Sequence, residues 1–160
     1  MITSNYKIIR LRCEALKTKE VMSTHVHKID FNDTCAAAAV EMRNADVGCL
    51  VVTSNHSVRG VITDRDIVVR CLSEGHDSRN CPVSHHMTSP AVVTSMDTDM
   101  LETAHLMKEK HITRIPVVEN DHVIGLVSLS DIAYAVDQAK AGMDIVLHDL
   151  LVGMGANRSA

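Results

Sequence analysis

Apolar residues along this chain fall into two kinds of pattern, and each kind occurs twice. Cys35, Ala38, Ala39 and Met42 recur at helical spacing, and so do Leu101, Ala104 and Met107. Asp33-Thr34 opens the first run and Asp97-Thr98 the second, placing side-chain oxygens where a first turn has free N–H groups. The spacing predicts helices to about residue 44 and from 100 to about 110. A short extended stretch precedes each helix, at 26–29 and 91–94. Two short strands follow each, 49–53 with 58–63 and 115–118 with 123–128. The intervening Ser-Asn-His-Ser and Glu-Asn-Asp-His are hairpin-loop material, each with an Asn that tolerates left-handed backbone. A further helix begins at Asp64 and again at Leu129. The order is β-α-β-β-α, twice.

The repetition extends to residue identity. Residues 22–67 align without a gap on 87–132 at an offset of 65, and nine of the 46 pairs are identical. Average residue usage gives about three by chance. The nine include Met22/Met87, Met42/Met107, Gly60/Gly125, Asp66/Asp131 and Ile67/Ile132, while Val47/Ile112, Leu50/Ile115 and Thr63/Ser128 keep polarity. Two half-domains sharing one core, with two equivalent clefts, are expected from such a duplication. The boundaries expected are an extension at 1–17, repeats at 18–74 and 83–138, a linker at 75–82, and an amphipathic segment and tail at 139–160.

Composition narrows the class. A chain of 160 residues with 46% hydrophobic content fits one globular domain. Only Tyr6, Phe31 and Tyr134 are aromatic, so the core must be aliphatic, with nine methionines as filler. A net charge of −4 and scattered basic residues argue against a nucleic-acid binder. Neither a secretory signal nor a membrane-span pattern is evident, so a cytoplasmic protein with free thiols is expected from its five cysteines.

The sharpest chemical signal is a repeated strand-to-helix turn. It runs Gly60-Val61-Ile62-Thr63-Asp64-Arg65-Asp66 and again Gly125-Leu126-Val127-Ser128-Leu129-Ser130-Asp131. Free N–H groups at a helix start welcome an anion, a hydroxyl can donate to phosphate, and an aspartate three residues on can accept ribose hydroxyls. The same Thr63-x-x-Asp66 spacing is also that of a capping box. Two copies in register favour the functional reading.

With these turns the chain resembles the CBS-domain family, specifically a tandem pair (Bateman module) of the stand-alone bacterial type. The resemblance covers about residues 18–136 and rests on both turns, Val21-Met22-Ser23, His86-Met87-Thr88-Ser89-Pro90 and residues 111–118. It implies an α/β fold with two CBS repeats packed as one pseudo-two-fold pair. It also implies a regulatory or sensor role, with an adenosine-containing ligand (AMP, ADP, ATP, NAD or S-adenosylmethionine class) held in clefts between the repeats. By resemblance, cleft A takes Val61, Thr63, Arg65 and Asp66 from the first repeat and Val92, Ile112, Thr113 and Arg114 from the second. Cleft B takes Leu126, Ser128, Ser130 and Asp131 together with Val26, His27, Val47, Gly48 and Cys49. Aspartate would hold ribose, hydroxyls and arginine the phosphate, and apolar side chains the base. The clefts differ: Arg114 is matched by Cys49 and Arg65 by Ser130, so cleft A should prefer the more anionic ligand.

No required cofactor and no catalytic motif is found, so an enzyme is not expected. Cys71, His76, Cys81, His85 and His86 crowd the linker and, read as Cys-x4-His-x4-Cys-x3-His, would supply two thiolates and two imidazoles to zinc. The spacing matches no standard pattern, so no metal ligand is assigned and the set is expected to be surface histidines and semi-buried cysteines. A metal- or redox-responsive protein, or an interaction module with vestigial clefts, remain as alternatives. Apolar residues on more than one face of the helices at Ile67–Leu72 and 132–136 imply a homodimer. The stripe Ile145, Val146, Leu150 and Leu151 is expected to pack within that dimer, or else to dock an unidentified regulated protein.

Overall fold

The computed structural model of the chain describes residues 16–138; the 1–15 extension and the 139–160 segment, with its apolar stripe, lie outside the described residues. In order, the elements are α1 (Thr18–Val21), β1 (Lys28–Asp30), α2 (Cys35–Ala45), β2 (Cys49–Ser54), β3 (Ser57–Thr63), α3 (Asp64–Asp66), α4 (Met100–Lys110), β4 (Arg114–Glu119), β5 (His122–Ser128) and α5 (Leu129–Gln138). α3 runs on into a π-helical stretch, Ile67–Leu72, and Val83–His85 forms one 3₁₀ turn. The α/β order expected from the alternations is present, with two differences. The first extended stretch forms a strand only from Lys28, and its counterpart at 91–94 contributes a single parallel bridge, Thr94 to Val117.

The local signals work as their chemistry dictates. Thr34 accepts from Ala37 N at 3.1 Å and starts α2. α4 is capped by Asp99 instead of Asp97 or Thr98, its carboxylate accepting from Leu101 N at 2.9 Å. Thr98 is engaged one turn earlier, where its hydroxyl accepts from Ser95 N. Both hairpins turn through two left-handed residues, Asn55-His56 and Asn120-Asp121, which suits the twist of the flanking strands.

The chain divides into two compact units that do not follow the sequence repeats. One unit contains residues 24–93 and 118–124. Here β1 pairs parallel to β2, β2 antiparallel to β3, and Ser57 of β3 pairs with His122 at the tip of the β4–β5 hairpin. Its core gathers Ile29, Ala38, Met42, Leu50, Val52, Ile62, Ile67 and Val83, with Cys35 and Cys71.

The other unit includes described residues 16–23, 94–117 and 125–138. Met100, Met107, Ile115, Val117, Val127, Ile132 and Val136 are buried in it. Thr18, Thr94 and Thr103 are buried too, and they are satisfied by one another: Thr103 Oγ1 lies 2.9 Å from Thr18 Oγ1 and 3.3 Å from Thr94 Oγ1.

In each unit, a segment of one repeat lies against the strand of the other. Val61 and Thr88 exchange backbone hydrogen bonds at 3.1 and 2.9 Å, and Leu126 and Ser23 exchange two at 2.9 Å. The glycines just before Val61 and Leu126 make these approaches possible. A Cβ on Gly60 would stand 2.6 Å from Thr88 O and 2.7 Å from Met87 Sδ, and one on Gly125 would collide with Met22 Sδ. Gly60→Ala should therefore cost about 1–3 kcal/mol, since a backbone carbonyl has to move. Gly48→Ala, whose Cβ would meet a movable Asp64 carboxylate at 3.1 Å, should cost less. Urea unfolding of the two variants checks the order.

Candidate functional site

The two strand-to-helix turns are built alike. Where β3 gives way to α3, Asp66 Oδ2 accepts from Thr63 N at 2.9 Å and from Thr63 Oγ1 at 2.8 Å, while Thr63 Oγ1 accepts from Asp66 N at 3.2 Å. Where β5 gives way to α5, Asp131 Oδ2 accepts from Ser128 N at 2.8 Å and Ser128 Oγ at 2.6 Å, and Asp131 N donates to Ser128 Oγ at 3.2 Å. The capping-box reading of this spacing is thus realised twice. It fixes a carboxylate beside a hydroxyl at each helix start.

The two carboxylates differ in what they have left to offer. An ionised carboxylate has about four acceptor positions. Asp66 spends two on Thr63, and its Oδ1 faces Arg70 Nη2 at 3.3 Å, one helical turn on. Oδ1 is thus the oxygen with an acceptor position left over, and Arg70 shares it. Among the described residues Asp131 Oδ1 makes no such ion pair, while the neighbouring Ser130 Oγ lies 2.8 Å from Ser128 Oγ. Arg70 was absent from the expected site, although its i,i+4 spacing from Asp66 was the signal for it.

The remaining expected residues divide between the units. In the unit holding Thr63 and Asp66, Gly48 O accepts from Asp64 N at 3.2 Å and Cys49 pairs with Thr63 across β2–β3, so the 47–49 segment borders the turn. Val47 N donates to Met42 O, His27 O accepts from Val51 N, and His27 Nδ1 lies 3.1 Å from Glu41 Oε1. Val26 and Val92 are half-buried and Arg65 is exposed.

The other unit repeats the arrangement at the same offset: Thr113 O accepts from Leu129 N at 2.9 Å, which places Ile112, Thr113 and the exposed Arg114 beside the Ser128–Asp131 turn. Cleft A's first-repeat residues and Val92 therefore lie in one unit and its Ile112, Thr113 and Arg114 in the other. Cleft B divides the same way, with Leu126, Ser128, Ser130 and Asp131 opposite in membership to Val26, His27 and Val47–Cys49.

A second gathering of polar side chains lies at the linker. Cys71 is fully buried and His86 nearly so, where surface histidines and semi-buried cysteines had been expected; only His76, His85 and the half-buried Cys81 fit that description, and the fully buried Cys35 joins them from α2. Burial, with the neighbouring Cys71 and Cys81, pushes the Cys35 thiol up to about 12. Burial first and then Cys71 push Cys81 up. Burial, followed by the charges of His76 and His85, holds His86 below the usual imidazole range. Cys35 was read from the sequence only as a helix-face residue, because it is far along the chain from the linker.

The model of the CBS domain matches residues 19–73 and 83–138. The chain belongs to the CBS-domain family. It is similar to the CBS domain-containing protein YhcV of Bacillus subtilis, 32% identical over 115 residues that make up 72% of this chain and 81% of that protein. Among solved structures it is similar to Hypoxic Response Protein I with two coordinated zinc ions, at 28% identity and TM-score 0.69 over 74% of this chain and 98% of that one. A hexameric CBS-CP12 protein from bloom-forming cyanobacteria matches at 28% identity and TM-score 0.71 over 84% and 80% of the two chains. As a tandem CBS pair, this protein is a regulatory module by family. No helix among the described residues is long and apolar enough to cross a membrane.

The shared turn geometry yields a stability test within this CBS pair. Thr63→Ala and Ser128→Ala each remove a cap and should each cost about 1 kcal/mol. Because the two caps lie in different units, the double variant should lose close to the sum in urea unfolding.

Proposed function

We propose that this CBS pair senses an adenosine-containing ligand, binding it at the hydroxyl–aspartate turns and passing the occupancy on as a change in association or in a partner's activity. The observation that carries the reading is the twin turn: Thr63 with Asp66 and Ser128 with Asp131 hold a carboxylate and a hydroxyl in the same geometry at a helix start. A carboxylate held in this way suits ribose hydroxyls, and the helix start suits a phosphate. Thr63, Arg65, Asp66 and Arg114 are the proposed ribose–phosphate residues of cleft A, with Val61, Val92, Ile112 and Thr113 about the base. Leu126, Ser128, Ser130 and Asp131 with Val26, His27, Val47, Gly48 and Cys49 form cleft B, which has no arginine of its own and suits a less charged adenosyl ligand. The protein acts in this reading as a cytoplasmic sensor and not as an enzyme.

Isothermal calorimetry with AMP and adenosine tests it. Asp66→Ala should abolish cleft A binding of both. Arg114→Ala removes a charge-assisted bond of about 1.5–3 kcal/mol, so AMP should weaken roughly 10- to 100-fold while adenosine changes little. Equal losses for the two ligands would remove Arg114 from the phosphate site. A wild-type chain whose melting temperature is indifferent to AMP, ADP, ATP, NAD and S-adenosylmethionine would sink the adenosyl reading, because ligand at about 100 times its Kd adds about 2.7 kcal/mol.

The same module is proposed to work as a homodimer. Ile67 and Cys71 point inward while Val68, Val69 and Leu72 are 56%, 48% and 51% exposed, and Tyr134 is 67% exposed on α5 beside the buried Ile132 and Val136. Helices with an apolar face left over have a second surface to cover. Light scattering at micromolar concentration should give twice the chain mass, and Val68→Asp with Leu72→Asp should reduce it to one. A single-chain mass for the wild type would exclude the dimer.

A further inference from the structure

The linker histidines and cysteines converge on one point in spite of their irregular spacing. Three backbone features bring them there. Cys35 opens α2, where its N–H donates to Cys81 O at 2.9 Å. The π-helical stretch carries Cys71 to the interior, and π-turns of this kind often mark functional positions. The linker then folds back over α2: Ala36 N donates to Ser78 O, Val83 N to Asp33 O, and Asp77 closes the intervening turn by accepting from Arg79 N, Asn80 Nδ2 and Cys81 N.

The donor atoms are close to ligand distance of one another. Cys81 Sγ is 2.9 Å from His86 Nε2. The ligand atoms of Cys35, Cys71 and His86 lie within 4.8 Å of one another, as do those of His76, Cys81 and His86. Cys71 lies close enough to Cys35 and to Cys81 to push both thiols up, and its own thiol donates to His76 O at 4.0 Å. Zn–S bonds of about 2.3 Å and Zn–N bonds of about 2.0–2.1 Å put tetrahedral ligands roughly 3.3–3.8 Å apart. The Cys35–Cys71–His86 triad has to draw in by at most about 1–1.5 Å to reach that spacing, and Cys81 adjoins it through His86.

We propose that Cys35, Cys71, Cys81 and His86 are the ligands of a structural zinc ion that clamps the inter-repeat linker to the first repeat. Three thiolates and one imidazole form one of the closed sets typical of structural zinc. Binding expels one proton from each of three thiols to solvent and leaves a net charge of −1 on metal and ligands together. Two features offset that charge: the helix start at Cys35, and the Arg70 guanidinium, which donates to His86 O at 2.9 Å. His76, whose Nδ1 stands 3.3 Å from His86 Nε2, is exposed and gives up that contact when the metal takes His86. The site is independent of the adenosyl reading, since none of its ligands belongs to either proposed cleft.

Cobalt(II) and zinc titrations of the reduced, chelator-stripped full chain test this site. One cobalt per chain should give the intense visible absorption of a tetrahedral ion and near-ultraviolet thiolate charge transfer, and zinc should displace it. Zinc should also shield Cys35, Cys71 and Cys81 from a thiol-labelling reagent, read by peptide mass spectrometry. Cys81→Ser, at a half-buried position, should keep the circular dichroism of the apo chain yet lose the tetrahedral spectrum. Its zinc affinity should fall by more than the roughly 10- to 100-fold that losing an outer-shell partner costs. His76→Ala should keep both spectrum and affinity. A pale six-coordinate cobalt spectrum, a tetrahedral one that survives Cys81→Ser, or equal loss in His76→Ala would each overturn the assignment. So would labelling of Cys35 and Cys71 that zinc does not slow.

Discussion

The approach of a foreign backbone segment to Gly60 and Gly125 is the constraint on which the rest of this protein depends. At each position the strand has no side chain, the 87–88 or 22–23 segment of the other repeat passes over it, and a methionine thioether fills the remaining space. The backbone exchange at Val61 and Leu126 follows directly from that contact. Met22/Met87 and Gly60/Gly125 are among the identical pairs of the duplication for this reason. Each methionine serves the glycine of the opposite repeat, so neither pair can drift alone.

The capped turns convert that framework into chemistry. A carboxylate bound through one oxygen to its own helix start is oriented and partly desolvated, yet keeps acceptor positions for a ligand. The two copies have diverged around a common frame. Arg70 sits against Asp66 with the exposed Arg65 nearby and the buried Cys49 on the adjoining strand, whereas the Asp131 turn has Ser130 in the place of Arg65 and the exposed Arg114 in the place of Cys49. One frame thus carries two different electrostatic environments.

The Cys/His cluster is separate from this design and gathers residues of the first repeat, the linker and the first residues of the second repeat. The second repeat does not reproduce it: Cys35 is matched by Met100 and Cys71 by Val136, both buried apolar residues. The same two interior positions are filled by hydrocarbon in one copy and by thiols in the other. Packing alone is satisfied by either choice, so the thiols beside a buried imidazole call for a chemical reason, which the proposed zinc would supply.

The α/β order, both hairpins with their left-handed Asn residues, the Thr34 cap and the hydroxyl–aspartate turns were legible in the sequence, because each depends on contacts within a few residues. Periodicity reports which face is apolar, and a capping residue acts on its own helix. Other features required the tertiary structure. The stretch at 91–94 reads like a strand, yet only Thr94 finds a pairing partner. The helix after Asp66 reads as α-helical, but adopts a π-turn that takes Cys71 inward. Cys35 joins His86 only because the linker folds back over α2. Which repeat covers which glycine is likewise invisible along the chain, where Met22 is nearer to Gly60 than to the Gly125 it packs against. Local hydrogen bonding fixed the elements; the exchange of segments between repeats, driven by close packing at two glycines, decided which residues share a unit.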